Sequence, residues 1–213
     1  MNFLLASAGL ILASPLLLLA IISVRLTGRG PVFYRQPRAG LGGSPFVLWK
    51  LRTMVGGSDP VGVGEAVVAS DPRVTRVGRI LRALSIDEIP NLFNVLTGQM
   101  AIVGPRPTLP AQIDLYTSRQ RRRLEVPPGI TGWAQINGRA GIPWEERIEL
   151  DVWYVEHRSV RLDLKICLLT VPSLFRRRPE HLAVDAYAGS SPDSALRQAA
   201  ERQEDSEPSE RSR

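Results

Sequence analysis

The chain has 213 residues, of which 44% are hydrophobic and 23% charged, and its formal net charge is +6. This length suffices for one domain of roughly 150 residues with appendages and excludes two domains of that size. The only cysteine, Cys167, excludes a disulfide within the chain and suits the cytoplasm. The positive charge lies in residues 1–175, because the segment from residue 176 onward carries seven Arg and eight Asp or Glu. Such a field favours phosphate-bearing partners: nucleic acid, nucleotides or anionic lipid.

An apolar segment opens the chain, with no charged residue from Phe3 to Val24. A helix of this length would measure about 33 Å, enough to cross a hydrocarbon core of about 30 Å. Ser14 and Pro15 lie near its middle, where proline removes a backbone hydrogen bond and could divide the segment into two halves of about 16 Å. A spanning helix and a re-entrant segment therefore both stay open. The arginines that follow predict a cytoplasmic body by the positive-inside rule. They are Arg25, Arg29, Arg35 and Arg38.

A β-hairpin is predicted directly after the apolar segment. Residues 32–35 and the alternating residues 45–52 are typical of short strands, and residues 41–44 between them predict the connection. Residues 55–70, rich in Gly and Val with little charge, predict a loop.

Two adjacent carboxylates, Asp87 and Glu88, follow Ser85 closely. Ser85 and Glu88 fit a capping box, which predicts Ser85 as the N-cap of a helix that is kinked at Pro90 and stops at Gly98. The free N–H groups and the helix dipole would favour ionised carboxylates in that first turn. An ionised Asp in a basic segment can serve as a nucleophile or a metal ligand, although acidic residues there can also simply stabilise a helix.

Arginines flank the two carboxylates in the sequence. From Arg73 to Arg82 an arginine recurs every third residue, near one face if the segment is helical. A solvated face is the ordinary interpretation, but this run leads into the carboxylates, where guanidinium groups would neutralise a diphosphate. Prolines fix φ on both sides of Arg106, and this rigid frame lowers the entropy lost when the guanidinium binds an anion. Residues 126–139 predict a glycine-punctuated loop with a short strand, which places Arg139 on a loop.

The C-terminal part is predicted to be helical and then disordered. Residues 144–156 form an amphipathic helical pattern. Residues 160–175 form a second pattern, which suits packing on the domain core or lying on a membrane surface. From about residue 186 the composition is dominated by Ser, Pro, Glu, Gln and Arg and predicts disorder.

Eight motifs in one order give the chain a family resemblance. It resembles the bacterial sugar transferases, the monotopic polyprenyl-phosphate phosphoglycosyl transferases, over roughly residues 3–175. Its size is similar to the minimal catalytic form, without the four-helix membrane module of larger members. Family members usually begin with a basic pair and an Asp, whereas only two residues precede Phe3 here, so either the start codon is assigned late or the anchor is weaker than usual. The motifs are Ser14-Pro15, Gly30-Pro31-Val32-Phe33-Tyr34-Arg35-Gln36, Lys50-Leu51-Arg52-Thr53-Met54, Asp71-Pro72-Arg73, Ser85-Ile86-Asp87-Glu88-Ile89-Pro90, Val103-Gly104-Pro105-Arg106-Pro107, Pro128-Gly129-Ile130-Thr131-Gly132-Trp133 and Asp151-Val152-Trp153-Tyr154.

The resemblance implies an α+β fold and a membrane enzyme. Residues 27–178 would form a small, mostly helical catalytic domain with a short β-hairpin or sheet. A re-entrant helix-break-helix membrane segment at residues 1–26 would precede it, and a disordered tail at residues 179–213 would follow. The implied reaction moves a sugar 1-phosphate from a UDP-sugar to undecaprenyl phosphate, releases UMP and uses Mg²⁺.

The resemblance also assigns roles to residues of this chain. Asp87 matches the nucleophile that forms a phosphosugar–aspartyl intermediate, and Glu88 matches its partner carboxylate, with both as expected metal ligands. Ser14 and Pro15 match the membrane break. Lys50, Arg82, Arg106 and Asp151 match family positions in or near the active site; the cations would contact phosphate, and Asp151 would lie behind those contacts or near the metal. Apart from the resemblance, Arg139 is also expected to bind substrate.

The expected partners are a UDP-sugar, a polyprenyl phosphate and the cytoplasmic leaflet of the bacterial inner membrane, without nucleic acid; a homodimer is left open. The residues alone also leave two other classes of protein open. One is a membrane-tethered binder of anionic lipid or nucleic acid, which would show a strong salt dependence and no turnover. The other is a membrane-anchored phosphohydrolase, which would release free sugar phosphate. No segment identifies the sugar.

Overall fold

A computed structural model describes residues 2–56, 71–137 and 142–175 of the chain. Most of the predicted loop at residues 55–70, Arg139, and the tail predicted at residues 179–213 lie outside these described residues. The predictions for them, including the domain boundary at residue 178, stay predictions.

The predicted hairpin is confirmed. Strand β1 (Phe33–Ala39) pairs antiparallel with strand β2 (Pro45–Leu51). The turn between them is tight because Gly42 and Gly43 adopt φ values of 64° and 82°, which glycine reaches without steric cost. On β2, Phe46 and Leu48 are buried, whereas Val47 between them is exposed. This alternation is the period-2 pattern that predicted the strand.

A second, smaller sheet lies beside the hairpin. Strand β3 (Ala101–Val103) pairs in parallel with strand β4 (Gly129–Thr131). The predicted short strand within residues 126–139 is thereby confirmed. The chain passes very close to itself here, because a Cβ atom on Gly129 would lie 2.1 Å from the backbone nitrogen of Gly104.

The segment around the carboxylates corrects two predictions. Helix α2 (Arg76–Ala83) is capped by Thr75. The capping box predicted at Ser85 is wrong: Ser85 has a left-handed φ of 56° and makes no side-chain cap hydrogen bond. Its backbone N–H bonds to the Arg82 carbonyl directly after Leu84, the C-cap of α2. Ser85 does hold the N-cap position, but of the 3₁₀ turn Ile86–Glu88, and the predicted placement of Asp87 and Glu88 in a first turn is confirmed.

The predicted kink at Pro90 is also wrong, because a new helix begins there. Pro90 is the N-cap of helix α3 (Asn91–Leu96), at a helix start where a missing N–H breaks no intrahelical bond. The predicted end of that helix is confirmed, since Gly98 follows with φ 76°.

One apolar helix, α1 (Asn2–Leu26), contains Pro15. It is the single helix in the described residues that is long and apolar enough to cross a membrane, judged by length and composition. Pro15 has no N–H to offer the Ile11 carbonyl, and the Ser14 hydroxyl donates to that carbonyl instead at 2.8 Å. The helix continues through the Ser-Pro pair, and the re-entrant form stays a prediction.

Both halves of α1 pack against the rest of the protein. Near the N-terminus, Ala6 is fully buried in a cluster with residues of β2 and α3. Near the C-terminus, Leu17, Ala20 and Val24 are buried with residues of β2 and α2 and with Ile86. Other apolar side chains of α1 are exposed, including Leu12 at 81%.

The C-terminal helices complete the core. The predicted helices are confirmed as α6 (Trp144–His157) and α7 (Val160–Phe175). Two short helices precede them, α4 (Ser118–Arg121) and α5 (Trp133–Asn137), and α5 corrects the expectation of a loop there. Ile166 of α7 and Tyr154 of α6 are buried with Val103 of β3, so these helices cover the parallel strands.

Candidate active site

Lys50 and Arg106 converge on the Glu88 carboxylate. Nζ of Lys50 lies 2.8 Å from Oε1 of Glu88, and Nη2 of Arg106 lies 2.9 Å from the same oxygen. Lys50 is on β2, Arg106 follows β3, and the 3₁₀ turn carries Glu88, so three separate segments meet at one carboxylate. Lys50 lies 38 positions before Glu88 in the chain, and Arg106 lies 18 positions after it.

Asp87 has a different environment from its neighbour. Its side chain is largely buried, at 8% exposure, and it makes no hydrogen bond or ion pair with any residue that the structure describes. The buried Ile86 before it anchors the turn in the core. The turn therefore presents one carboxylate without a partner among the described residues beside one that two cations hold.

The two carboxylates have opposite pKa shifts. Burial raises the pKa of Asp87 to about 6, and the negative charge of Glu88 adds to this, while Lys50, Arg82 and Arg106 oppose it. Burial would also raise the pKa of Glu88, but Arg106 and Lys50 outweigh it and hold that pKa well below its usual range. At neutral pH both groups are ionised, and Asp87 is the more basic of the two.

Arg82 and Asp151 lie near this centre but contact other groups. Arg82 donates from Nε to the Thr53 hydroxyl at 2.8 Å and acts on Asp87 electrostatically. Asp151 is only 1% exposed and accepts a hydrogen bond of 2.5 Å from Arg123. Its role toward substrate stays a prediction, as does that of Arg139.

The predicted arginine face is only partly formed. Arg73 lies before α2 and is bound to Asp71 at 2.8 Å, so it is not on the helical face. Helix α2 begins only after its Thr75 N-cap. The three-residue spacing of the arginines therefore wrongly predicted that Arg73 belongs to the helical face. Arg76 and Arg79 lie on α2 and are exposed.

An open cleft adjoins Glu88, and residues that the sequence did not point to line it. Arg38 lines it, and so does Asn91, which is 3% exposed and has a buried Oδ1 atom without a partner in the described part of the chain. In the sequence Arg38 is one of several arginines that follow the apolar segment, and nothing in the local pattern separates it from Arg35. Asn91 follows Asp87 by four positions and Glu88 by three. In a helical segment such residues lie on one face, so this spacing could have indicated that Asn91 is near the carboxylates.

The carboxylates could hold a divalent metal. Carboxylate oxygens are the hard ligands that Mg²⁺ prefers, and Asp87 is left unpaired by the described residues. No cluster of three or more Asp, Glu, His or Cys suited to a metal occurs among the described residues. A metal here would therefore rely on few protein ligands and on substrate phosphates, as Mg²⁺ sites commonly do.

Comparison with known proteins identifies the family of the chain. The family model described as bacterial sugar transferase matches residues 1–177. The chain is 48% identical over 181 residues to the uncharacterized sugar transferase EpsL of Bacillus subtilis, covering 83% of this chain and 88% of EpsL. It is 50% identical over 171 residues to the UDP-glucose:undecaprenyl-phosphate glucose-1-phosphate transferase of Caulobacter vibrioides, covering 76% of this chain and 64% of that protein, slightly less than two thirds of its length.

A third relative points the same way. The chain is 38% identical over 183 residues to the exopolysaccharide production protein ExoY of Rhizobium meliloti, covering 79% of this chain and 81% of ExoY. These matches and the family model agree with the motif order, and the chain therefore belongs to the bacterial sugar transferase family of enzymes.

Proposed function

We propose that this protein transfers a sugar 1-phosphate from a UDP-sugar to undecaprenyl phosphate, releasing UMP and forming a polyprenyl-diphosphate-sugar. The name of the Caulobacter relative describes this reaction for glucose, and ExoY is named for exopolysaccharide production, which supports a first membrane step in polysaccharide assembly. The observation that carries the proposal is the pair of carboxylates: Asp87, unpaired by described residues, beside a Glu88 that Lys50 and Arg106 hold.

The transfer proceeds in two displacements. A carboxylate oxygen of Asp87 attacks the sugar-proximal phosphorus, the bond from that phosphorus to the bridging oxygen breaks, and UMP leaves with the electron pair. A phosphate oxygen of the polyprenyl phosphate then attacks the same phosphorus and displaces the Asp87 carboxylate. The raised pKa of Asp87 supports this role, because a more basic carboxylate is a better nucleophile while still ionised at neutral pH.

The cations around Glu88 would bind the diphosphate. Lys50 and Arg106 act electrostatically on Asp87 and together bind one oxygen of Glu88, so the same two donors could bind phosphate oxygens. A guanidinium can make two parallel contacts to phosphate, which fixes its orientation as well as its charge. We assign Arg82 and Arg139 the same phosphate-binding role and Asp151 a supporting role behind it.

Asp87 and Glu88 would hold Mg²⁺, together with oxygens of the substrate. When bound, the metal supplies neutralisation of the diphosphate charge and eases the departure of UMP.

The protein would sit on one side of the membrane with its apolar helix re-entrant. α1 has 25 residues and a length of about 37 Å, and it is buried against the same domain at Ala6 and at Val24. A helix that crosses the bilayer could not contact a cytoplasmic domain near both of its ends. The positive-inside arginines favour the cytoplasmic face of the inner membrane, where the polyprenyl phosphate headgroup would meet Asp87.

Product analysis tests this proposal. The full-length protein in membranes is given UDP-glucose, then other UDP-sugars, with and without undecaprenyl phosphate, and UMP and the lipid fraction are quantified. We expect sustained UMP release only with the lipid acceptor, matched by an equal amount of lipid-linked sugar diphosphate. Sustained release of free sugar phosphate without acceptor would establish a phosphohydrolase instead, and binding without any UMP release from the panel would contradict the transferase.

A further inference from the structure

The loop that carries Arg106 is held by donors from outside it. Four consecutive carbonyls accept hydrogen bonds from four residues in three other segments, and two of the four carbonyls belong to prolines, which have no N–H. The pairs are Pro105 with the Gly129 N–H at 2.8 Å, Arg106 with Nη2 of Arg123 at 3.0 Å, Pro107 with Nη1 of Arg38 at 3.1 Å, and Thr108 with the Ala39 N–H at 2.9 Å. The position of the Arg106 guanidinium therefore depends on these external donors.

Arg123 is the donor at the centre of a buried polar cluster. It is 5% exposed, and it donates from Nη1 to the Tyr116 hydroxyl at 2.7 Å and from Nη2 to Oδ2 of Asp151 at 2.5 Å. The Tyr116 hydroxyl in turn donates to Oγ1 of Thr108 at 2.8 Å. Arg123 thus connects Asp151 on α6 to two residues of the loop, Arg106 directly and Thr108 through Tyr116.

Stability alone is a poor explanation for this arrangement. A buried ion pair loses hydration on folding, and apolar residues of similar volume often stabilise a protein equally well. The two arginines that precede Arg123 in the chain are not buried in this way. Arg121 is exposed, and Arg122 makes surface contacts with Glu125 and Glu156. The planar fork of Arg123 can serve three acceptors at once, which a lysine ammonium cannot do in the same geometry.

We infer that Arg123, oriented by Asp151, is a positioning residue that sets the Arg106 guanidinium against the diphosphate. The inference rests on the proposed function and assigns Asp151 an indirect role, through Arg123 and the Arg106 carbonyl rather than through substrate or metal.

A double-mutant cycle tests the inference. We compare Arg123→Lys, Arg106→Lys and the double variant for UMP release, with Arg122→Lys as the matched surface control. A displacement of about 1 Å at a catalytic group can cost on the order of 100-fold in rate, so Arg123→Lys should lower kcat by about 10- to 100-fold. In the Arg106→Lys background the same change should cost less than about threefold, since the residue it acts through is already impaired. Equal losses in both backgrounds would overturn the inference.

Hydrogen exchange supplies a readout that needs no activity. In the full protein, Arg123→Lys should accelerate exchange of the amides of Gly104, Arg106 and Thr108, the residues of this loop that have an N–H, while the core strand β2 stays protected. Arg122→Lys should change neither. Asp151→Asn, which keeps the side-chain shape, should have the same local effect and keeps the test open if Arg123→Lys does not fold. Unchanged exchange in the loop for a folded variant would contradict the positioning role. Absence of transferase activity in the wild-type protein would instead contradict the proposed function and leave this second readout valid.

Discussion

Oε1 of Glu88 lies 2.9 Å from Nη2 of Arg106, across 18 residues of sequence. The acid beside the proposed nucleophile and the arginine of the proline-framed loop therefore form one charged unit. Arg106 is nevertheless 45% exposed, so its guanidinium can contact Glu88 and remain accessible to a phosphate.

Replacing Arg106 with lysine should impair turnover although the charge is kept. The ammonium can satisfy Glu88 but cannot make a planar two-pronged contact with phosphate, so we expect kcat for UMP release to fall by about 10- to 100-fold. Arg119→Lys, at an exposed arginine bound to Glu149, is the matched control and should be neutral. Wild-type kinetics for Arg106→Lys would assign the Pro-Arg-Pro segment a purely structural role.

The pH dependence should follow the ionisation of Asp87. Only the ionised carboxylate can attack phosphorus, and its pKa is raised to about 6. The value of kcat/KM, which reports the free enzyme, should therefore fall about tenfold per pH unit below that pKa and level off above it. Glu149→Gln, at an exposed acid, should leave the profile unchanged. A profile that stays flat down to pH 4.5 would show that Asp87 does not limit the rate through its ionisation.

The close approach of Gly104 and Gly129 should make Gly129 intolerant of a side chain. In Gly129→Ala the new Cβ would meet the backbone of Gly104 at 2.1 Å, and backbone cannot move aside as a side chain can. We expect the free energy of unfolding to fall by about 3 kcal/mol, the upper part of the range for overpacking. Gly28→Ala is the control, because nothing lies within 4 Å of its added Cβ. Equal unfolding free energies for the two variants, measured in denaturant, would contradict the close approach of Gly104 and Gly129.

Cysteine labelling should reveal the topology of α1. In an Asn2→Cys, Cys167→Ala variant, a membrane-impermeant thiol reagent should label Cys at position 2 only after lysis, since a re-entrant helix keeps both ends in the cytoplasm. Glu145→Cys in the same Cys167→Ala background reports labelling on α6, in the domain that the proposal places in the cytoplasm. Replacing Ser14 and Pro15 with alanine should favour a straight spanning helix and move position 2 outside. Labelling of position 2 in intact cells without that replacement would establish a spanning anchor.

Local patterns predicted much of the fold and of the site. Hydrophobic periodicity predicted the hairpin, α6 and α7, and Gly98 predicted the end of α3. Both signals depend only on residues close together in the sequence. The capping box at Ser85 failed because its spacing is also satisfied when the serine directly follows the C-cap of the preceding helix in a left-handed conformation. The pairing of β3 with β4 and the burial of Arg123 depend on contacts between distant segments. Nothing in the run of residues 121–123 indicates which arginine is buried.

A covalent adduct on Asp87 is the most direct test of the central claim. Wild-type protein is mixed with a UDP-sugar in the absence of lipid acceptor, quenched, and analysed by intact-mass and peptide mass spectrometry. The account predicts one sugar phosphate per chain on the peptide that contains Asp87, with one equivalent of UMP released. Asp87→Asn, which keeps the shape and loses the charge, should show neither adduct nor UMP while its thermal unfolding stays near that of the wild type. An adduct on another residue, or full activity in Asp87→Asn, would contradict the account.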